Sequence, residues 1–253
     1  MGFTFAGIHS KQLGLKVMNI TRSIAPGIRA KTVKVPGKAG VYDMGIEVDE
    51  LQIPIEVLLM GKNALDIREQ VRNLAAWLRQ QQHLEELIFD DEPDKLYWAR
   101  LVDETELDEI ALSGKGTITF LIPDPLAYAI EDDTFTSSLN TLVFERKGTA
   151  PSQPIITIQG VSDGMESGFE LSLNEQAMKY TGMLGEGETL VIDASSKTAY
   201  VIRVDQTKIS ALNGIDPLTF PVTDPLQENS LTVTPFGAAT FTQMKIECGS
   251  CWY

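Results

Sequence analysis

Asn63-Ala64-Leu65-Asp66-Ile67-Arg68-Glu69-Gln70-Val71-Arg72-Asn73-Leu74-Ala75-Ala76-Trp77-Leu78 is the stretch on which the reading of the fold turns. Ile67, Val71, Leu74 and Leu78 recur at spacings of four, three and four, which is one face of an α-helix. Asn63 is suited to the N-cap, and Trp77 flanks the apolar stripe. Arg68, Glu69, Arg72, Arg79 and the Gln80-Gln81-Gln82 run make the outer face. A helix over about 63–82 is therefore expected, with its stripe packed on a sheet.

No other segment has that period. On the N-terminal side, residues 1–60 read as short strands punctuated by Gly14, Pro26-Gly27, Pro36-Gly37 and Gly40. Leu51-Gln52-Ile53 and Ile55-Glu56-Val57 alternate as half-buried strands do, and Pro54 between them suggests an edge position. After the helix, Leu87-Ile88-Phe89, Leu96 to Leu101 and Thr117 to Ile122 are strand-like, the last following a turn expected at Gly114-Lys115-Gly116. A composition shift places a domain boundary between about 130 and 150. Beyond it come strands alone: Pro154 to Ile158, Phe169 to Leu173, Thr189 to Ile192, Tyr200 to Val204, Leu231 to Val233 and Thr240 to Ile246. Asp163-Gly164, Gly185-Glu186-Gly187 and Asn213-Gly214 separate them. The expectation is a mainly β chain with one helix: an N-terminal β-sandwich-like domain over 1–135, and a C-terminal β-sandwich over 136–253.

Composition narrows the function. The 253 residues are 43% apolar and 22% charged, ordinary for a globular chain. No apolar run approaches the roughly 18 residues of a membrane span, and the N-terminus lacks the apolar stretch of a signal peptide. Met1-Gly2 resembles the start of a myristoylation signal, but Ala6 stands where Ser or Thr is needed. The chain is expected to be intracellular when made. A net charge of −14 argues against nonspecific binding to a nucleic-acid backbone. The charge is also segregated. Residues 1–42 hold Lys11, Lys16, Arg22, Arg29, Lys31, Lys34 and Lys38 and no acid, whereas Glu85 to Asp94 and Asp103 to Glu109 are densely acidic. Either two oppositely charged strands lie side by side in one domain, or the basic segment meets the acidic face of a neighbouring copy, head to tail. On the second reading Arg29, Lys31, Lys34 and Lys38 are the candidate self-assembly contacts.

No catalytic constellation can be assembled. His9 and His83, the only histidines, read as surface or cap residues, and no Gly-x-Ser-x-Gly elbow accompanies them. Gly37-Lys38 and Gly114-Lys115 lack the upstream glycine and following hydroxyl of a phosphate loop. Cys248 and Cys251 have no second pair to complete a zinc site, and the sequence ends two residues on, without the helix that activates a redox thiol. They read as packed thiols. Glu85-Glu86 and Asp90-Asp91 read as solvated acids. The expected protein is not an enzyme and uses no cofactor or metal.

Several segments, taken in order, resemble the distal tail proteins of long-tailed, non-contractile bacteriophages. They are Phe3 to Ser10, Leu13-Gly14-Leu15, Val35-Pro36-Gly37-Lys38-Ala39-Gly40, the helix from Ile67 to Leu78, Leu87 to Ala99, Gly116 to Phe120, and Asp124-Pro125-Leu126-Ala127-Tyr128. Together they cover residues 1 to about 130, and Pro154 to Gly160 is the best echo beyond. The resemblance implies an N-terminal ring-forming domain, in a hexameric ring, and a galectin-like C-terminal sandwich. It implies a structural hub in the virion, at the tail tip or baseplate, assembled in the bacterial cytoplasm. The tail tube protein, the tape-measure protein and a tail-associated fibre or lysin-like protein would be its partners, and DNA would pass through the channel unbound. The rival reading is a carbohydrate-binding module of the tail tip. It is disfavoured because Trp252 is the only tryptophan of the second half, and Phe169, Phe236 and Phe241 suit core packing.

Overall fold

The computed structural model describes residues 1–23, 26–60, 64–79, 83–102, 107–110, 113–164 and 166–253. The expected cap at Asn63, the Gln80-Gln81-Gln82 run, and the side chains of Arg79 and of the Asp103 to Glu109 run lie outside it. The chain divides into two compact units, Met1–Ile130 and Glu131–Trp252.

The first unit holds strands β1 (Phe3–Phe5), β2 (Ile8–His9), β3 (Leu15–Ile20), β4 (Ile28–Val33), β5 (Tyr42–Val48) and β6 (Leu51–Met60), then helix α1 (Ala64–Arg79). After it come β7 (Glu85–Phe89), β8 (Glu92–Val102), β9 (Leu107–Ile110), β10 (Ser113–Ile122) and β11 (Ala127–Ala129). One antiparallel sheet runs β2-β1-β7-β8-β10-β6-β3, with β9 added to β10 and β11 to β8. Strands from both flanks feed one core: Phe3 and Phe5 of β1 share it with Ile53, Ile55, Val57 and Leu59 of β6. The sheet therefore wraps its core, where two facing sheets had been expected. The helix closes the open side as its period foretold, burying Ile67, Leu74, Trp77 and Leu78. Phe3, Phe5, Phe120 and Trp77 form an aromatic cluster with centroids 4.7–6.2 Å apart, and Trp77 Nε1 donates to the Phe5 carbonyl at 3.3 Å.

Two local expectations fail here for physical reasons. Pro54 is not on an edge strand, because β6 is one continuous strand flanked by β10 and β3. Pro54 lies just past the end of β3, where the Thr21 amide donates to its carbonyl at 3.1 Å. Its missing N–H thus falls where the ladder is already ending. Gly114-Lys115-Gly116 is strand rather than turn, with Gly114 opposite Leu59 and Gly116 opposite Val57. A ten-residue partner strand holds the glycines extended despite their low intrinsic preference.

The second unit comprises β12 (Asp133–Ser137), β13 (Thr141–Phe144), β14 (Ile155–Asp163), β15 (Gly168–Leu173), β16 (Gln176–Tyr180), β17 (Met183–Leu184) and β18 (Thr189–Asp193). It continues with β19 (Thr198–Ile202), β20 (Lys208–Ser210), β21 (Ile215–Asp216), β22 (Asn229–Phe236) and β23 (Thr240–Cys248). One sheet runs β12-β23-β14-β18-β19-β20, with β17 on β14, and the other runs β13-β22-β15-β16-β21. Ile156, Ile158, Leu190, Ile192, Met244 and Ile246 of the first share a core with Phe169, Leu171, Leu231 and Val233 of the second. The alternation of β14, with Ile156 and Ile158 inward, is that of one sandwich layer. Asn213-Gly214 lies in a short 3-10 turn over Leu212–Gly214, separating β20 from β21 as its turn signal predicts.

Candidate assembly surface

β4 and β5 pair only with each other among the described strands, forming a ribbon outside the sheet. Every residue of both strands is exposed. Ile28 faces Val48, Arg29 faces Glu47 and Ala30 faces Ile46; past a bulge, Thr32 faces Asp43 and Val33 faces Tyr42. Gly45 makes that bulge with φ +97°, a conformation that few other residues accept, and its amide donates to Asp43 Oδ1 at 2.9 Å.

Strand periodicity then sorts the side chains. One face carries Ile28, Ala30, Ile46 and Val48, with Ile28 62%, Ile46 69% and Val48 50% exposed. The other carries Arg29, Lys31 and Glu47. Arg29 Nε donates to both carboxylate oxygens of Asp49 at 2.9 Å, and Lys31 Nζ meets Glu47 Oε1 at 2.7 Å. Near the tip, Lys38 Nζ sits 3.2 Å from the Tyr42 ring centroid, and Lys34 is exposed between the strands. Of the four cations singled out from sequence, three thus touch partners within their own ribbon. Sequence reasoning passed over the apolar face, although the alternation Ile28-Arg29-Ala30-Lys31 was there to be read.

Upstream of the ribbon, Arg22 is tied to the sheet. Arg22 donates to Asp91 Oδ1 at 2.7 Å and to Glu92 Oε2 at 3.0 Å, and its guanidinium lies 4.2 Å from the Phe89 ring centroid. The hydrogen bond from Arg22 holds the Asp91 carboxyl below its usual value of 3.8. The Asp49 amide then donates to the Gly27 carbonyl at 2.8 Å, closing the base of the ribbon, and β6 begins two residues later. A two-stranded ribbon has no core of its own and is marginal in water. An exposed apolar face of this kind is a candidate contact surface.

The candidate chemical residues are occupied structurally. His9 Nδ1 accepts from the Lys11 amide at 3.1 Å, so Nε2 carries the proton that it donates to Asp90 Oδ1 at 2.9 Å. Both ring nitrogens are engaged and His9 caps a short 3-10 turn. His83 is exposed. Cys248 and Cys251 are reduced and buried, and burial pushes the Cys248 thiol up to about 12. Among the described residues no three His, Cys, Asp or Glu side chains gather as metal ligands would, and no helix is long and apolar enough to cross a membrane.

Residues 8–122 match the family of the phage tail protein RIFT-related domain. The Dit protein (gp 19.1) of phage SPP1, described as a paradigm of hub adsorption apparatus in Gram-positive infecting phages, has a similar structure: TM-score 0.80, 14% identity, 100% of this chain and 99% of that one. A chain of the phage P2 baseplate in its activated conformation with calcium aligns at TM-score 0.45 and 9% identity, over 94% and 90% of the two chains. The strontium form aligns at 0.45 and 8%, over 97% of each. No curated protein matches by sequence. Residues 8–122 are thus similar to a phage tail domain, and the whole chain has the fold of the SPP1 Dit protein.

Proposed function

We propose that this chain is the structural hub at the distal end of a phage tail, where copies assemble through the first unit into a hexameric ring. The observation that carries the reading is the ribbon, which offers Ile28, Ile46 and Val48 to solvent on a domain similar to a phage tail domain. A neighbouring copy is the natural cover, since a head-to-tail contact repeated around a closed rotation buries every ribbon without leaving an end. Covering one large aliphatic side chain is worth about 1.5–3 kcal/mol, while association costs about 4–15 kcal/mol. A single ribbon contact is therefore weak, and closure of the ring supplies the cooperativity.

In this reading the ring joins the tail tube to the tail-tip or adsorption apparatus. It works in the virion, after assembly in the host cytoplasm, and leaves a channel through which DNA passes unbound. Its neighbours are the tail tube protein, the tape-measure protein and a tail-associated fibre or lysin-like protein. The second unit is a galectin-like sandwich that serves for docking. Arg29, Lys31, Lys34 and Lys38 remain candidate contacts by position, but an apolar ribbon face makes a ring that tolerates salt. Light scattering over concentration and salt, with micrographs of the same sample, tests this. Closed rings that survive 0.5–1 M salt are expected. A chain that stays monomeric even with its tail-tip neighbours present would defeat the reading.

A further inference from the structure

We propose that the sheet edge at β20 takes up an extended strand from a partner protein, one whose alternating side chains pair an apolar residue with an adjacent acid. The inference is independent of the ribbon and of ring formation. β20 ends its sheet among the described strands, and all three of its residues are exposed. Ala211 N donates to Ala199 O and Arg203 N to Thr207 O, each at 2.9 Å. With Val201 opposite Ile209, that alternation spends the backbone groups of Ile209 on β19 and turns those of Lys208 and Ser210 outward.

What lies beyond the edge fits a strand. A cleft of about 500 Å³ opens there, floored by Val201, Tyr180 and Ala211 and walled opposite by Thr181, Gly182 and Met183. Ile209 lies on the inward face with Val201, which is 7% exposed, yet Ile209 itself is 42% exposed because no described strand pairs with the outer edge of β20. Met183, across the cleft, is 74% exposed. An added strand would satisfy the outward groups of Lys208 and Ser210 and set one apolar side chain into the cleft, over Ile209. Its neighbouring residue would fall beside Lys208 on the outer face. Lys208 rests on that face, 4.6 Å from the Tyr200 ring centroid, so it leaves the edge open and favours an acid at that position.

A display library of extended nonapeptides, screened against the purified full chain, tests the proposal. Enriched peptides should alternate apolar and acidic residues and should slow amide exchange at Lys208 and Ser210. Ser210→Pro removes an outward N–H without touching the ladder to β19. It should weaken these peptides at least tenfold while leaving the melting temperature unchanged. Should Ser210→Pro misfold, Ile209→Ser removes the apolar seat and should give the same loss. The proposal is overturned if no extended sequence is enriched, if binding ignores both variants, or if protection maps elsewhere. It is equally overturned if galactose or N-acetylglucosamine perturbs Tyr180 to Met183 while peptides do not.

Discussion

At the scale of single residues, the first unit depends on Trp77. It touches Phe3 and Phe5 and donates to a backbone carbonyl of β1, so Trp77→Ala opens a cavity and removes that hydrogen bond together. A loss of about 3–5 kcal/mol in urea unfolding is expected. Arg22 works differently, on orientation. The Asp91 carboxyl is depressed by Arg22, so its contribution is fully present above the unfolded value of 3.8 and is lost as pH falls below it. The ribbon root should stay ordered from pH 8 to 5 and loosen only in stronger acid, read by heteronuclear relaxation of Gly27 and Asp49. In Arg22→Ala the root should be loose at every pH; an unchanged acid transition in that variant would show that another group is responsible. Cys248, with its thiol near 12, should resist iodoacetamide at pH 8 until the chain unfolds.

At the scale of elements, α1 was legible because a 3.6-residue stripe over four turns admits one reading. Pro54 and Gly114-Lys115-Gly116 misled because propensity is local, while a neighbouring strand decides whether a missing donor or a flexible glycine matters. Strands of two or three residues, such as β17, β20 and β21, are too short to show any period. The ribbon is the instructive case. Its alternation is that of a strand with one covered face, and a sequence cannot say which chain supplies the cover. The charges drew attention first, yet Arg29 and Lys31 are spent inside the ribbon on Asp49 and Glu47. Exposed pairs of this kind contribute little stability and chiefly hold the strands in register. Elsewhere, a Cβ on Gly168 would overlap the Tyr180 carbonyl, so Gly168→Ala should shift β15 from β16 and destabilise the second unit, measurable by calorimetry.

At the scale of the whole molecule, two compact units carry distinct surfaces. The first exposes an apolar ribbon; the second has an unfinished sheet edge beside a cleft. Neither surface could be inferred from composition, because both depend on where pairing stops. Part of the segregated charge is paired locally, at Arg22, Arg29 and Lys31, as the reading of oppositely charged neighbouring strands expects. Assembly should accordingly weaken less than tenfold between 0.1 and 1 M salt, roughly a Debye length of 10 Å shrinking to 3 Å.

The central claim is that the apolar face of the ribbon joins copies of this chain. Its most direct test is the solution mass of the wild-type chain beside that of the Ile28→Glu, Ile46→Glu double variant, over the same concentrations and with folding checked by circular dichroism. Rings from the wild type and folded monomers from the variant are predicted. A variant that assembles as well as the wild type would contradict the claim.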